Sequence, residues 1–579
     1  MTTSPILARQ DSAPRGASIL SYAILLGGIV TIVLSAYLVS VSYSTLPFWD
    51  GWMQIGVAAR GENPLSVAWL WRQYNQHRLV IPKLFLLADL RWFRATQVFL
   101  LCSVFTIQFT HLVLLCWSMR VLGGWRGAIW RSGAGLAAFC LFCPSQWQNQ
   151  TMGISGLCFD MPGLFATLSF IGLLLYWVRS AEPASRASWK YLLLSIAAAL
   201  AATLTLSNGN LMWPLLVGAA LLLRLRLAAV LSLAIAGTVG TTVYLHNYIR
   251  PSSVISSLQT PTSSIKYVAA YFGSSWVGGN IRVAELVGVA GAMLLLFVLL
   301  RVPSFVRNRR PFCVQLVLTL LFCFGTGLFT AMGRLVFGIE QAFSSRYQAF
   351  SLLFWCCLGL LVLGRAFSPG PTRNEGFLLV QAGLLAIVLF AASKAMIPLA
   401  RARLQGFQLN VAAMALLTGA PDKEQLQWAD SQPDYVLSLV PYMQKERLSV
   451  FSGTLPSLLD KPLDSMFSLA SPDECTGQLE SATAVDGAPL PTLRFTGWAW
   501  DSKHRRPPSE IVATTNGIIS GLGVVGGWQP AARKANPKVT SDYTGFTGYV
   551  RDVWGSGPIN LYAILDGNPA SACLFATAK

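Results

Sequence analysis

Up to about residue 400, apolar residues occur in long blocks that contain almost no charge. A helix needs about 17–25 such residues to cross the hydrocarbon of a bilayer, so each block predicts a membrane-spanning helix. The third and sixth blocks are short, which is typical of helices that break beside a cavity. The eleven predicted spans lie near 18–42, 96–119, 132–146, 157–178, 190–206, 211–223, 228–246, 283–301, 312–332, 347–364 and 377–397.

After Arg401 the pattern changes. Residues 405–485 mix short helical segments with Pro breaks, so 401–490 is predicted to be a connecting subdomain. From Thr492 onward apolar and polar residues alternate in short runs between turn residues, which is typical of an antiparallel β-sandwich covering 491–579. The predicted strands are 493–500, 509–515, 518–524, 545–551 and 559–565.

The predicted fold class is therefore a polytopic α-helical membrane protein of about eleven transmembrane helices at 1–400, followed by a C-terminal soluble α+β region. Composition agrees, since 54% of the residues are hydrophobic and 12% are charged, which excludes a soluble fold.

The net charge of +18 is informative because of where the basic residues lie along the chain. Lys and Arg cluster in alternate loops, which the positive-inside rule assigns to the cytoplasm. The N-terminus is then cytoplasmic, and an odd number of spans places the C-terminal tail outside. The basic excess is thus a topology signal and not a nucleic-acid patch. The clusters are Arg9 and Arg15; Arg120, Arg126 and Arg131; Arg179, Arg186 and Lys190; Arg224 and Arg226; Arg301, Arg307, Arg309 and Arg310; Arg365 and Arg373.

The first outer loop, 43–95, holds the densest group of functional residues, Trp49-Asp50-Gly51-Trp52. An acidic residue between two Trp at the membrane surface is placed to act as a general base. The alternative is that Asp50 N-caps a helix starting at Gly51. Segments 49–59, 65–74 and 263–276 have the spacing of interfacial helices that lie flat on the membrane.

Two groups of basic residues in outer loops are candidates to bind phosphate. The run 71–78, which ends in His77-Arg78, and Lys83 supply many donors, although an interfacial helix binding anionic headgroups has a similar composition. Arg334 and Arg346 flank a short outer loop with Glu340 and Tyr347, either as an anion clamp or as snorkelling anchors. Polar residues in three places could line a sugar pocket or merely cap helices: Gln146, Gln148, Asn149 and Gln150; Asp160; Asn208 and Asn210.

Cysteines and absent motifs narrow the chemistry. Nine of eleven Cys lie in or beside the spans as apolar fillers, whereas Cys475 and Cys573 both lie in the outer tail and are a candidate disulfide. The sequence contains no Walker loop, His-Glu-x-x-His or Gly-x-Ser-x-Gly, so neither ATP-driven transport nor ordinary hydrolysis is supported. No Asp-x-Asp occurs in an outer loop, so a metal is not indicated.

Short motifs over most of residues 40–360 resemble the bacterial membrane glycosyltransferases of the C-type (GT-C) fold, which use polyprenyl-phosphate sugars as donors. Trp49-Asp50-Gly51-Trp52 and Asn75-Gln76-His77-Arg78 carry the resemblance, with Ser207-Asn208-Gly209-Asn210, Trp213 and Ser345-Arg346-Tyr347. Two positions depart from the family pattern: Gly51 follows Asp50 where many relatives have a second acid, and Gln76 stands where a Glu is expected.

The resemblance implies that Asp50 deprotonates an acceptor hydroxyl, which attacks the anomeric carbon as the lipid phosphate leaves. It implies that His77, Arg78, Arg334 and Arg346 bind that phosphate. Trp49, Trp52, Asn75, Asn208, Glu340 and Tyr347 are the candidates to bind sugar or acceptor. The expected partners are a polyprenyl-phosphate sugar, membrane lipids and an acceptor glycan, glycolipid or surface protein, without a cofactor. The implied location is the bacterial inner membrane, with the tail periplasmic or extracellular.

The tail resembles β-sandwich domains of cell-surface glycan membrane proteins. In it, Trp498 and Trp500 lie two residues apart on one predicted strand and so share a face, either as stacking platforms for a glycan or as core residues. Two other functions stay open: a flippase or transporter of a lipid-linked saccharide, which predicts paired half-bundles that are not evident, and a non-catalytic protein of envelope glycan assembly.

Overall fold

The computed structural model of the chain describes residues 15–180, 188–249, 260–367, 373–551, 557–567 and 569–578. Each predicted span is helical in this part of the chain. Arg9 and Arg186, which entered the topology argument, lie outside the described residues. Eight described helical segments are long and apolar enough to cross a membrane: Gly16–Ser42, Val98–Val121, Gly153–Arg179, Leu227–Leu245, Ile281–Leu299, Pro311–Phe337, Ser345–Ala366 and Glu375–Thr418.

The predicted spans 132–146, 190–206 and 211–223 are the exceptions. They form helices of 15, 17 and 11 residues, shorter than the roughly 20 residues that a straight crossing needs. The structure therefore supports a multi-pass membrane protein, and eleven crossings stay a prediction.

The α-helices are numbered in chain order over the described residues. They are α1 Arg15–Ser42, α2 Met53–Ala59, α3 Val67–Trp71, α4 Val80–Phe93, α5 Val98–Val121, α6 Gly127–Leu141, α7 Trp147–Thr151, α8 Gly153–Arg179, α9 Trp189–Thr205, α10 Met212–Leu222, α11 Leu227–Leu245, α12 Pro261–Gly273, α13 Ile281–Leu299, α14 Val302–Arg307, α15 Pro311–Arg334, α16 Gln348–Ala366, α17 Arg373–Ser393, α18 Met396–Thr418, α19 Lys423–Leu426, α20 Pro433–Glu446, α21 Leu463–Met466 and α22 Ala531–Ala535.

The chain forms two compact units, each assembled from segments that are distant in sequence. The first, called the helical unit below, comprises Met1–Val39, Leu65–Phe85 and Leu100–Leu399. The second, called the sheet unit, comprises Ser40–Pro64, Leu86–Phe99 and Ala400–Lys579. The segment after α1 thus belongs partly with the C-terminal third of the chain.

Small residues let helices of the helical unit pack backbone to backbone. A Cβ on Gly135 in α6 would lie 2.5 Å from the Ile24 carbonyl oxygen in α1, and one on Gly28 in α1 would lie 2.6 Å from the Gly135 carbonyl oxygen. Only glycine allows this approach, which is how apolar helices associate closely where burial of apolar surface gives little driving force.

Helix α12 differs from the flat interfacial helix predicted at 263–276. Its residues from Tyr267 to Gly273 are all buried, and a Cβ on Gly288 of α13 would collide with the Ala269 carbonyl oxygen. The helix is therefore part of the core of the helical unit. Aromatic residues are typical of both a membrane surface and a core, so composition did not separate the two.

The sheet unit contains one curled sheet of eight strands in the order β1-β8-β7-β4-β5-β6-β3-β2. Neighbouring strands are antiparallel except for β1 and β8. The predicted sandwich strands thus belong to a single sheet. The strands are β1 Ser468–Leu469, β2 Cys475–Ala484, β3 Thr492–Asp501, β4 Glu510–Thr515, β5 Ile518–Gly527, β6 Gly545–Arg551, β7 Ile559–Leu565 and β8 Ser571–Ala578.

Apolar residues of the connecting segment and of the sheet share one core. Leu409 of α18 and Leu439 of α20 belong to the same buried cluster as Leu522 and Tyr549 of the sheet. Trp498 and Trp500 are both buried, with Ala532 among their neighbours, which is the core alternative for this Trp pair.

A disulfide joins Cys475 at the start of β2 to Cys573 in β8. These strands lie near opposite ends of the sheet order, so the bond closes the curled sheet across 98 residues of sequence. Such a bond stabilises a fold chiefly by restricting the unfolded chain.

We expect the double variant Cys475→Ala/Cys573→Ala to lower the free energy of unfolding of the sheet unit by about 2–4 kcal/mol. The measurement is the denaturant concentration at which the C-terminal third of the full chain in detergent becomes susceptible to protease. Cys102→Ala removes an exposed free thiol and should leave that concentration unchanged. Equal midpoints for the double variant and the wild type would contradict the expectation.

Candidate functional site

The Asn75-Gln76-His77-Arg78 motif forms a tight turn in the helical unit. Tyr74 and His77 exchange two backbone hydrogen bonds of 2.8 and 2.9 Å, and Asn75 takes a positive φ of 49°. Asn tolerates this left-handed conformation better than most residues. The exposed Asn75 therefore shapes the turn that presents His77.

His77 is held by the Ser207-Asn208-Gly209-Asn210 motif. Its Nδ1 lies 2.8 Å from the Ser207 hydroxyl oxygen, and the Ser207 backbone N–H donates to the same nitrogen over 3.4 Å. An Nδ1 that accepts from a backbone N–H carries no proton, so the neutral ring has its N–H at Nε2. Burial and the nearby Arg334 lower the pKa of His77 to about 3, so the ring is neutral at pH 7.

Arg78 is a buried structural cation. Its Nε donates to the Tyr244 carbonyl oxygen at 2.7 Å, and its two Nη atoms donate to the carbonyl oxygens of Trp71 and His246. These carbonyls belong to the C-terminal ends of α3 and α11, where backbone acceptors lack helical partners. Three of its five N–H groups are therefore engaged within the protein.

Lys83 serves helix α3 in the same way. Its ammonium group donates to the carbonyl oxygens of Trp69 at 2.9 Å, Leu70 at 3.3 Å and Arg72 at 2.7 Å. Burial, with the charges of Arg72 and Arg78, lowers the pKa of Lys83 to about 8. The polar run that predicted a phosphate site thus contains two cations that close helix ends.

Arg334, Arg346 and Tyr347 converge near the phenol of Tyr267 in α12. Burial and then Tyr347 raise the pKa of Tyr267, while the charges of Arg334 and Arg346 act in the opposite direction. The hydroxyl groups of Tyr267 and Tyr347 are buried and have no hydrogen-bond partner among the described residues. Such groups are costly to bury, so they mark a place where a polar ligand could bind.

The second predicted polar loop positions Arg346. The Asn149 amide donates to the Arg346 carbonyl oxygen at 3.0 Å, and the Gln148 backbone N–H donates to the Ser345 hydroxyl at 3.0 Å. These two hydrogen bonds fix the 3-10 turn Ser345–Tyr347, which carries Arg346.

Asn208 lies beside Ser207 in the 3-10 turn Ser207–Leu211. Its side-chain N–H donates to the Thr326 hydroxyl at 3.0 Å, while its side-chain oxygen is buried and has no hydrogen-bond partner within the described part of the chain. This oxygen is therefore a hydrogen-bond acceptor next to Ser207, and the O–H of a sugar hydroxyl needs such an acceptor.

Two other predicted polar residues have different environments. Glu340 is exposed in the turn Ile339–Phe343. Asp160 accepts a hydrogen bond from Gln108 of α5 at 3.0 Å, so it links two helices. Across the described residues, no three His, Cys, Asp or Glu side chains are grouped closely enough to hold a metal ion.

Asp50 lies in the sheet unit, inside the 3-10 turn Trp49–Trp52. Phe48 occupies the N-cap position of that turn and Trp52 that of α2, so Asp50 is not the N-cap residue of either helix. Asp50 is half-buried. The general-base interpretation stays a prediction.

The two Trp beside Asp50 have different environments. Trp52 is 1% exposed, and its indole N–H donates to the Ala429 carbonyl oxygen at 3.2 Å. Trp49 is 45% exposed, and its backbone N–H donates to the same oxygen at 2.9 Å. Trp52 therefore anchors the turn, whereas Trp49 is more exposed and its ring stacks on Phe48 with the ring centres 5.2 Å apart.

Asp430 is a second carboxyl group beside this turn that was not expected from sequence. It follows Ala429 directly, and its Oδ1 accepts the Gln432 backbone N–H at 2.8 Å. Burial raises the pKa of Asp430, and the charge of Asp50 adds to this rise. Nothing in the sequence around 430 distinguishes Asp430 from a loop acid, because its proximity to Asp50 arises only from folding.

The sequence does not single out Tyr267 either. Tyr267 lies on α12, for which the sequence pattern predicts a position on the membrane surface. The aromatic run over 267–276 identifies a helix face without indicating what that face contacts.

No protein-family model and no curated protein sequence matches the chain. The resemblance to the GT-C glycosyltransferases therefore rests on the short sequence motifs alone.

The pKa of His77 predicts how stability depends on pH. Because the folded state keeps the ring neutral down to about pH 3, the unfolded chain binds more protons below its usual pKa of about 6.5. His77 thus contributes stability that is present above pH 6.5 and is lost as the pH falls toward 3, by about 1–2 kcal/mol between pH 7 and 5. Thermal unfolding in detergent at both pH values measures this loss.

The matched variant is His77→Asn, which keeps a side-chain acceptor for Ser207 and does not titrate. It should show a smaller difference between pH 7 and pH 5 than the wild type. Parallel pH curves for the two proteins would show that His77 is not the group responsible.

Arg78→Lys tests whether Arg78 is structural. Lysine keeps the charge but cannot reach three carbonyl groups in a guanidinium geometry. We expect the helical unit to lose about 2 kcal/mol of stability, measured as a lower thermal unfolding temperature in detergent. Arg72→Lys, at an exposed neighbour, is the control. Unchanged unfolding of Arg78→Lys would argue against a structural role.

Proposed function

We propose that this chain is a GT-C glycosyltransferase of about eleven spans. It moves a sugar from a polyprenyl-phosphate carrier to an acceptor glycan, glycolipid or protein at the periplasmic face of the bacterial inner membrane. The observation that carries the proposal is the convergence of Arg334 and Arg346 on the buried phenol of Tyr267, in a unit built from apolar helices. Cations inside such a unit are expensive and usually have an anionic partner.

The donor carrier fits this chemistry. A polyprenyl phosphate joins a long apolar chain, which apolar helices accommodate, to a single anionic group. Two guanidinium groups bind phosphate oxygens through charge-assisted hydrogen bonds. Tyr267 and Tyr347 hydroxyls, which are buried and lack partners in the described residues, can donate to the remaining oxygens.

His77 adds a neutral donor to the cluster. Because Ser207 fixes its Nδ1 as an acceptor, the ring offers its Nε2–H. A neutral imidazole can donate to the leaving phosphate without adding a third positive charge to the site. Arg78 supports this geometry by closing the helices around the His77 turn, and any contact of its own with phosphate would use its two remaining N–H groups.

The proposed reaction needs one base and one stabilised leaving group. Asp50 takes the proton of the acceptor hydroxyl, whose oxygen attacks the anomeric carbon. The bond from that carbon to the phosphate oxygen breaks, and its electron pair leaves with polyprenyl phosphate. Arg334, Arg346 and His77 stabilise the charge that develops on this oxygen, which is where preorganised donors contribute most to rate. Trp49, Asn75, Asn208 and Glu340 are the proposed contacts for sugar and acceptor.

The test uses the purified full chain in detergent with synthetic polyprenyl-phosphate sugars and stripped membranes as the acceptor source. Release of polyprenyl phosphate is measured. We expect Asp50→Asn to lower kcat by about 10²–10⁴-fold, as loss of a general base does. We expect Arg346→Ala to lower kcat/KM for the donor by roughly tenfold or more, because a charge-assisted contact to phosphate is lost.

Arg282→Ala provides the control, since it removes an exposed arginine at the start of α13 and should leave turnover unchanged. Normal turnover in both Asp50→Asn and Arg346→Ala would contradict the proposed glycosyltransferase function. Donor binding that depends on Arg346, without any release of polyprenyl phosphate, would favour a flippase of a lipid-linked saccharide.

A further inference from the structure

The sheet unit contains a pocket of about 380 Å³ that the proposed transfer reaction does not use. Its walls come from the last turn of α1, from one face of α18, from the end of β5 and from two loops of the sheet. None of its residues belongs to the group around Tyr267 that is proposed to bind the phosphate of the sugar donor. The lining residues are Val41, Arg403, Phe407, Asn410, Pro507, Val524, Val525, Gly526, Ser541 and Tyr543.

The charge of the lining is positive. Arg403 is its single charged side chain, and no acid is present among the ten lining residues. Its guanidinium carbon lies 4.4 Å from the centre of the Tyr543 ring, a cation–π contact that fixes the group in place. A lining that contains a guanidinium group and no carboxylate favours an anionic ligand.

Uncharged polar groups surround the arginine. Asn410 donates its side-chain N–H to the Tyr43 carbonyl oxygen at 3.1 Å, which orients the amide beside the pocket. The Ser541 hydroxyl oxygen accepts the Tyr543 backbone N–H at 3.1 Å, so its own O–H can turn to a ligand. Amide and hydroxyl donors next to a guanidinium are typical of a site for a phosphate ester.

The other half of the pocket is apolar. It is open because the glycines at the end of β5 have no side chains to fill it. Phe407 lies against Gly526 and Gly527, where a Cβ on Gly527 would come within 2.9 Å of the ring. Gly526 has a φ of +129°, a backbone conformation that other residues rarely adopt. Val525 and Val41 continue this apolar surface.

The pocket lies at the end of the apolar helix α1. Val41 is in the last turn of α1, within the candidate span Gly16–Ser42. Arg403 lies about two turns into α18, which is the second helix of the apolar stretch Glu375–Thr418. The ends of membrane spans lie at the level of lipid headgroups, where Arg side chains commonly meet phosphate.

We propose that this pocket binds the phosphate-bearing headgroup of an anionic membrane lipid. Arg403 pairs with the phosphate, Asn410 and Ser541 donate to its ester or glycerol oxygens, and Phe407 with Val525 contacts the beginning of the acyl chains. The site would tie the sheet unit to the membrane surface, whatever reaction the chain catalyses.

The experiment is a lipid titration of the purified full chain in detergent, read by native mass spectrometry. Dioleoyl phosphatidylglycerol, which carries a net negative charge, is compared with dioleoyl phosphatidylcholine and dioleoylglycerol. We expect one phosphatidylglycerol to bind roughly tenfold more tightly than either neutral lipid, as a specific charge-assisted contact allows. Equal binding of all three lipids would overturn the proposal.

Variants locate that site. Arg403→Gln should lose roughly tenfold in affinity, whereas Arg403→Lys should retain most of it because the charge remains. Arg447→Gln removes an exposed arginine elsewhere in the sheet unit and is the matched control. Ser541→Trp fills the pocket while leaving Arg403 in place, and it should also abolish the preference. Affinities of Arg403→Gln and Ser541→Trp equal to that of Arg447→Gln would contradict the proposal.

The wild-type protein provides an independent measurement if a variant fails to fold. A photoactivatable phosphatidylglycerol should label peptides containing Phe407 or Tyr543, and labelling confined to other peptides would overturn the assignment. Glycerol 3-phosphate and an acidic oligosaccharide are added as competitors. Displacement of the lipid at an equal concentration of either competitor would identify a site for a soluble anion, and absence of such displacement supports the lipid.

Discussion

The cost of burying polar groups among apolar helices is the constraint on which the helical unit depends. Helices satisfy their own backbone groups except at their ends, where the last carbonyls need donors. Arg78 and Lys83 supply those donors to the ends of α3 and α11. The segment between them cannot move without exposing buried acceptors, and it carries the turn that presents His77. A structural solution to backbone burial thus gives the candidate site a fixed wall.

The same constraint explains why the remaining polar groups indicate a ligand. Some buried polar side chains of the helical unit pair with one another, as Gln108 does with Asp160. Near Arg334 and Arg346, the hydroxyls of Tyr267 and Tyr347 have no such partner among the described residues. An anion would satisfy both kinds of group, so electrostatics and hydrogen bonding favour the same chemistry.

The sheet unit depends on a different constraint, which is that segments of the first loop must be held against a part of the chain that begins only at Ala400. The Trp49–Trp52 turn is fixed by two hydrogen bonds to the Ala429 carbonyl oxygen. This arrangement brings Asp430 to Asp50. Gly51 follows Asp50 in the sequence, and folding supplies a second carboxyl group near the same turn from another part of the chain.

Local patterns in the sequence determined the elements. Apolar blocks predicted each long helix, and alternation predicted β3 to β7, because both signals depend on which side of one element is buried. They missed β2, whose residues are mostly exposed and do not alternate, and the short helix α4 within the first loop. Strands at the ends of a sheet have one neighbour and weaker burial, so their sequences are less constrained.

Tertiary structure alone decided which groups the polar residues contact. Composition could not separate a phosphate-binding arginine from one that closes a helix, because both need a buried guanidinium near oxygen atoms. Arg78 donates to carbonyl oxygens. Arg334 and Arg346 instead lie near Tyr267, whose phenol hydroxyl has no hydrogen-bond partner within the described chain. The sequence by itself determined the apolar helices, the strands and a set of candidate residues. Their grouping depended on contacts between distant segments, such as Trp52 with Ala429 across 377 residues, and no local pattern encodes such contacts.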